Sequence, residues 1–142
     1  MTAPIVFPDY RASIVNIVAS IEAAYGLEPL HQPLEGLDPA GLAGGSAVVL
    51  VVLDGMGIDL LEAHAASVPF LREHLVRPVT SVYPCTTAAA VTSLMSGMTP
   101  LEHGALGWSL YFKELGRAVD FLPFRDSVDG ELLGRKAMEM ER

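Results

Sequence analysis

The chain has 142 residues, 51% hydrophobic and 18% charged, a composition that builds a packed core and excludes an intrinsically disordered chain. Nine Lys and Arg against seventeen Asp and Glu leave a formal net charge of -8, without the basic footprint that binding to a nucleic-acid polymer requires. The longest apolar run, Ala47 to Leu53, falls far short of the roughly 20 residues that span a bilayer, so neither a membrane nor a nucleic-acid polymer is expected as a partner.

At the amino end, Pro4, Pro8 and Asp9 precede the first basic residue, Arg11, and the charged and apolar regions of a secretory signal are missing. The single cysteine, Cys85, allows no internal disulfide and no cysteine-based zinc site, and a cytoplasmic location is the expectation. Ile14, Ile17, Val18, Ile21 and Tyr25 recur at helical spacing, with Asn16 and Ser20 largely off that stripe, which predicts an amphipathic helix over Ala12 to Tyr25 ended by Gly26. Asn16 and Gln32 are the only side-chain amides in the chain. From Leu27 to Ser46 three prolines and four glycines interrupt any period, which predicts a surface loop and places the boundary between residues 1–46 and a second unit over 47–142.

Val48 to Leu53 is apolar without alternation, the pattern of a strand covered on both faces in a parallel sheet. Asp54-Gly55-Met56-Gly57 ends it. Helical pieces are predicted over Ile58 to Ala66 and Val68 to Leu75, then a second strand over Arg77 to Tyr83 and a helix over Thr87 to Met95 with Gly97 as its C-cap. Strand, helical crossover and strand make a right-handed βαβ unit, an α/β fold in which Asp54 and the Cys85-Thr86-Thr87 segment share the carboxyl edge where such sheets gather ligands. Leu110, Phe112, Phe121 and Phe124 around Gly116 predict a hairpin, and Leu132, Leu133, Lys136, Ala137 and Met140 a final helix.

Three common phosphate or hydrolase motifs are excluded. The third glycine of a dinucleotide loop would fall at Leu60, no Gly-Lys-Ser/Thr occurs, and neither Ser93 nor Ser96 has the glycine frame of a nucleophile elbow. What remains is a carboxylate after one strand and hydroxyls after the next. Asp54 suits either a hard ligand for a divalent cation or an Asx turn capping the N–H groups of Gly55 to Gly57. Thr87 either caps its helix or serves as a nucleophile, for which it needs a base or metal; local chemistry does not separate it from Thr86. His31, His64, His74 and His103 have no partner at metal-ligand spacing and read as structural, His103 in a loop. Trp108, the only tryptophan, reads as core or as a stacking surface for a base or aromatic group.

Taken together, Val48 to Gly57, then Ser81-Val82-Tyr83-Pro84-Cys85-Thr86-Thr87 running on to Ser96-Gly97, then Pro100-Leu101-Glu102-His103-Gly104 form a recognisable set. It resembles the type I phosphodiesterase/nucleotide pyrophosphatase branch of the alkaline phosphatase superfamily, over about Ala47 to Trp108 and more loosely to Phe124. The resemblance implies the N-terminal part of a three-layer α/β/α sandwich with a mostly parallel sheet. It also implies a two-zinc hydrolase of small phosphate esters or nucleotides, with Asp54 a metal ligand and Thr87 both metal-bound and the nucleophile that becomes phosphothreonine. Trp108 stands where the family usually carries a phosphoryl-binding asparagine and becomes the candidate substrate contact. The family completes its metal sites from a long C-terminal half, so the 142-residue chain is expected to be an inactive N-terminal fragment. The alternatives are a phosphomonoesterase, sulfatase or phosphomutase of the superfamily, or a non-catalytic binding or assembly module, with a homodimer possible through an exposed sheet edge.

Overall fold

The computed structural model describes residues 6–134. Helix α1 runs from Ile14 to Ala24 and ends, as the glycine signal predicts, before Gly26 at φ 75°. Its buried face differs from the one the apolar stripe predicts. Val15, Val18 and Ala19 are buried together with Asn16 and Ser20, while Tyr25 is exposed. The cause is polar pairing. Asn16 Oδ1 accepts from the Ser13 N–H at 2.8 Å and hydroxyl at 2.9 Å, and its Nδ2 donates to the Gln32 carbonyl at 2.9 Å. Ser20 Oγ donates to the Asn16 carbonyl at 3.0 Å and accepts from the Leu34 N–H at 2.8 Å. Every buried polar group in this set has a partner, so burying it leaves no uncompensated desolvation, and residues 32–34 are fastened to α1 with Leu34 in the core.

The segment expected to be one long loop contains a short helix α2, Pro39–Ala43, for which Asp38 accepts from the Ala40 and Gly41 N–H groups and Pro39 supplies the first turn. Helices α3, Ile58–Ala63, and α4, Pro69–Glu73, follow as the predicted helical pieces, each shorter than its apolar pattern. Helix α5 spans Thr87–Ser96, capped by Thr86 and closed by Gly97 at φ 70°. Helix α6, Pro100–His103, puts His103 at a helix end where a loop was expected. The core joins Val15 of α1, Ala89 of α5 and Val82 of the segment before it, with Ile14 and Ala90 packed against them.

The sheet is antiparallel, in the order β1 Ser109–Phe112, β2 Arg117–Asp120, β3 Arg125–Asp126. Its first hairpin turns at Gly116, φ 65°, as the sequence predicts. Phe112 packs on Phe121 and Phe124 with ring centroids 6.4 and 6.2 Å apart.

The expected parallel sheet is not among the described elements. Residues 48–53 have no strand partner there, and Val49 and Val51 are 81% and 71% exposed. The second predicted strand contributes a single parallel bridge, Thr80 to Ser13 of the segment leading into α1. β-Branched residues favour extended backbone, but pairing is a property of the neighbour, and no described residue supplies one to 48–53. The described chain is thus a small α/β fold. The predicted final helix lies mainly outside the described residues; Leu132 bridges to Arg125 and Leu133 is buried. No helix among the described residues is long and apolar enough to cross a membrane.

Candidate functional site

The apolar extended run breaks because Leu53 closes a turn, its carbonyl accepting from the Met56 N–H at 3.3 Å with Gly55 at φ 76°. A positive φ at the third position is the mark of a turn that needs glycine there, and Asp54 is left at its exposed corner. No hydrogen bond from the N–H of Gly55, Met56 or Gly57 to the Asp54 carboxylate forms among the described residues, so the Asx-turn arrangement is not adopted. The carboxylate instead accepts from a distant group. Thr87 Oγ1 donates to Asp54 Oδ2 at 3.3 Å, across 33 positions of sequence.

The two threonines occupy different environments. Thr86 is the N-cap of α5, half-buried, its hydroxyl oxygen accepting from the Ala89 N–H at 3.2 Å. Thr87 is the first helical residue and exposed, and its hydroxyl faces Asp54. The exposed N-terminus of a ten-residue helix lies beside the pair, where the helix dipole favours an anion. Among the described residues no Lys, Arg or His forms an ion pair with Asp54. Cys85 is exposed and carries a free thiol.

The other candidates make no hydrogen bond to the Asp54–Thr87 pair among the described residues. Trp108 is 49% exposed, its carbonyl accepts from the Phe121 N–H at 2.7 Å, and no hydrogen bond joins it to Asp54 or Thr87. His31 pairs with Glu102 at 2.8 Å, His74 Nδ1 bonds the Phe70 carbonyl, and His64 is the C-cap of α3. The pairing that sequence reasoning missed is Ser93 with His103, 3.0 Å apart. Its signal was available only as two separate polar residues, one on a small-residue helix and one before a glycine.

Asp54 and Thr87 offer two hard oxygen donors at one point, which suits part of the shell of a divalent cation. Two donors do not hold one, because zinc sites use three or four protein ligands or leave one position for water. No group of three His, Cys, Asp or Glu that could hold a metal occurs among the described residues.

No curated protein and no solved structure matches the chain. A family model described as type I phosphodiesterase / nucleotide pyrophosphatase matches residues 48–135, a span that includes the Asp54 turn and the whole of α5. The chain belongs to the type I phosphodiesterase / nucleotide pyrophosphatase family.

Proposed function

We propose that this chain carries the nucleophile side of a metal-dependent hydrolase of phosphodiester or nucleotide pyrophosphate bonds, with Thr87 as nucleophile. The observation that supports the reading is the 3.3 Å hydrogen bond from an exposed helix-N-terminal hydroxyl to an exposed carboxylate with no cationic partner among the described residues. Thr87 Oγ1 attacks phosphorus in line, its proton passing to the Asp54 carboxylate it already bonds; the Oγ1–P bond forms as the bond to the leaving oxygen breaks, the leaving group departs as its anion, and water later cleaves the phosphothreonine and restores the hydroxyl. The bond to Asp54 holds the hydroxyl proton to one side and leaves an Oγ1 lone pair on the open side. The Thr87 N–H and the dipole of α5 face the phosphoryl oxygens.

Asp54 and Thr87 would hold one of two divalent cations, zinc in this reading, and the remaining ligands would come from outside residues 6–134. Bound there, the metal supplies the lowered hydroxyl pKa that a carboxylate alone cannot give a threonine. Trp108 is assigned to the organic group of the substrate, as a stacking face. The parent is a cytoplasmic three-layer α/β/α enzyme in which residues 48–53 join a parallel sheet.

The test is turnover of bis(4-nitrophenyl) phosphate by the natural protein with zinc. Thr87→Ala abolishes it; turnover that survives the substitution sinks the reading. A panel of monoesters and sulfate esters separates the related activities. The rival reading, a binding or assembly module, draws on the missing third ligand among the described residues. Zinc calorimetry on the natural protein decides, since a module takes up no zinc tightly.

A further inference from the structure

Helix α5 presents Thr87, yet its buried side chains are small: Ala88, Ala89 and Ser93. Alanine methyls make a smooth contact that resists translation toward the core better than rotation about the helix axis. The Thr86 cap is local to α5 and leaves the rotation free. Directional bonds from outside the helix set it, and besides the Thr87–Asp54 bond at its exposed end Ser93 makes a buried one.

Ser93 is fully buried and its Oγ lies 3.0 Å from His103 Nε2, at the end of α6. The roles follow from the other ring nitrogen. The Ala105 N–H donates to His103 Nδ1 at 3.0 Å, so Nδ1 is the acceptor, Nε2 carries the proton, and His103 donates to Ser93. The ring also faces the Ala89 carbonyl, one turn back on the same row of α5. His103 is itself fixed, because α6 is capped at Thr99 by Glu102, whose carboxylate accepts from the Thr99 N–H at 2.7 Å and from its hydroxyl at 2.8 Å.

We infer that His103 is a positioning residue for Thr87: through Ser93 it sets the rotation of α5 and so aims the Thr87 hydroxyl at Asp54. The inference rests on the reading of Thr87 as nucleophile. Ser93 lies about 9 Å along the helix from Thr87, and a rotation of about 20° moves an atom roughly 4 Å from the axis by about 1.4 Å. A displacement near 1 Å at a nucleophile costs on the order of 100-fold in rate.

The experiment is steady-state kinetics of bis(4-nitrophenyl) phosphate hydrolysis by the natural zinc-loaded protein, with circular dichroism melts on each variant. His103→Ala and Ser93→Ala are each expected to lower kcat by roughly 30-fold or more while KM stays within about threefold, since the lost element is aim and not binding. His103→Gln keeps a donor near the Nε2 position and is expected to return kcat to within about fivefold of the parent, and the Ser93→Ala/His103→Ala pair falls no further than either single change. A folded His103→Ala or Ser93→Ala protein with kcat within about threefold of the parent overturns the inference, as does a Gln variant no better than Ala. If His103→Ala does not fold, Ser93→Ala, which removes one hydroxyl, decides. Thr87→Ala keeps the two readings separable: an inactive variant leaves the nucleophile standing whatever His103 does, and an active one removes both.

Discussion

Thr87 and Asp54 stand 33 residues apart in sequence and 3.3 Å apart in the fold, each exposed and each at the point where its backbone changes course. One begins a helix and the other sits in a glycine turn, so neither hydroxyl nor carboxylate is consumed by its own element. Asp54→Asn keeps the shape and removes the charge. It is expected to weaken zinc binding by the natural protein at least about tenfold in calorimetry and to lower turnover with it. Thr86→Ala is the contrast. It removes the N-cap bond to Ala89 and is expected to cost about 1 kcal/mol in urea denaturation while turnover persists.

Gly97 closes α5 in the left-handed region and faces α1. A Cβ added there would lie 3.1 Å from Glu22 Oε1 and 3.4 Å from Val18 Cγ1, at φ 70°. Gly97→Ala should therefore destabilise the fold by about 1–2 kcal/mol, read as a shift in the urea midpoint at constant slope. The same substitution at Gly107, where no heavy atom outside its neighbours lies within 4 Å and φ is not left-handed, is the control and should move the midpoint little.

Acid should destabilise the chain in two stages. Burial, opposed by the Ala89 carbonyl and the Glu102 charge, holds the His103 imidazole below its ordinary 6.5. The unfolded imidazole therefore takes its proton first, and stability begins to fall as pH drops below 6.5. The Thr99 N–H, with the Thr99 hydroxyl and His31, holds Glu102 at about 2 against an ordinary 4.5. Its contribution is present above pH 4.5 and is lost as pH falls from there toward 2. Asp120, accepting from Ser109, Ser127 and Arg125, and Asp126, accepting from the Val128 and Asp129 N–H groups, are held down in the same sense. Urea midpoints at successive pH values check the signs: a midpoint that rises between pH 7 and pH 3 contradicts them, and Glu102→Gln should flatten the lower stage.

The intact mass of the protein in its own cells should exceed 15.1 kDa, because the proposed hydrolase needs metal ligands beyond Asp54 and Thr87. Mass spectrometry of the native protein reads this directly. A native mass of 15.1 kDa would move the binding-module reading ahead.

Much of the helical part was legible. α1 announces itself by period, α5 by its small residues, both by the glycines that end them, and the Gly116 hairpin by aromatic residues flanking a turn. The short α2 carried its signal in Asp38-Pro39, a cap followed by a first-turn proline, and was masked by the glycines around it. The buried face of α1 was not legible, since Asn16 and Ser20 are tolerable inside only because Gln32 and Leu34, far along the chain, bring the matching groups. Residues 48–53 read as extended from their own composition, but sheet partners cannot be read from one strand. For the site, local chemistry named Asp54 and both threonines, and the cap bond of Thr86 is what distinguishes their surroundings. The Ser93 and His103 pairing is a tertiary relationship with no local pattern.

The run from Val48 to Leu53 carries no charge and, among the described residues, exposes apolar side chains on a backbone without a strand partner, the chemistry of an edge that accepts another copy of itself. A net charge of -8 spread over 142 residues opposes that association by long-range repulsion. That protection reaches only as far as the ionic atmosphere allows, about 10 Å at 0.1 M salt and about 3 Å at 1 M. Raising the salt therefore weakens that repulsion and favours pairing of this run between copies.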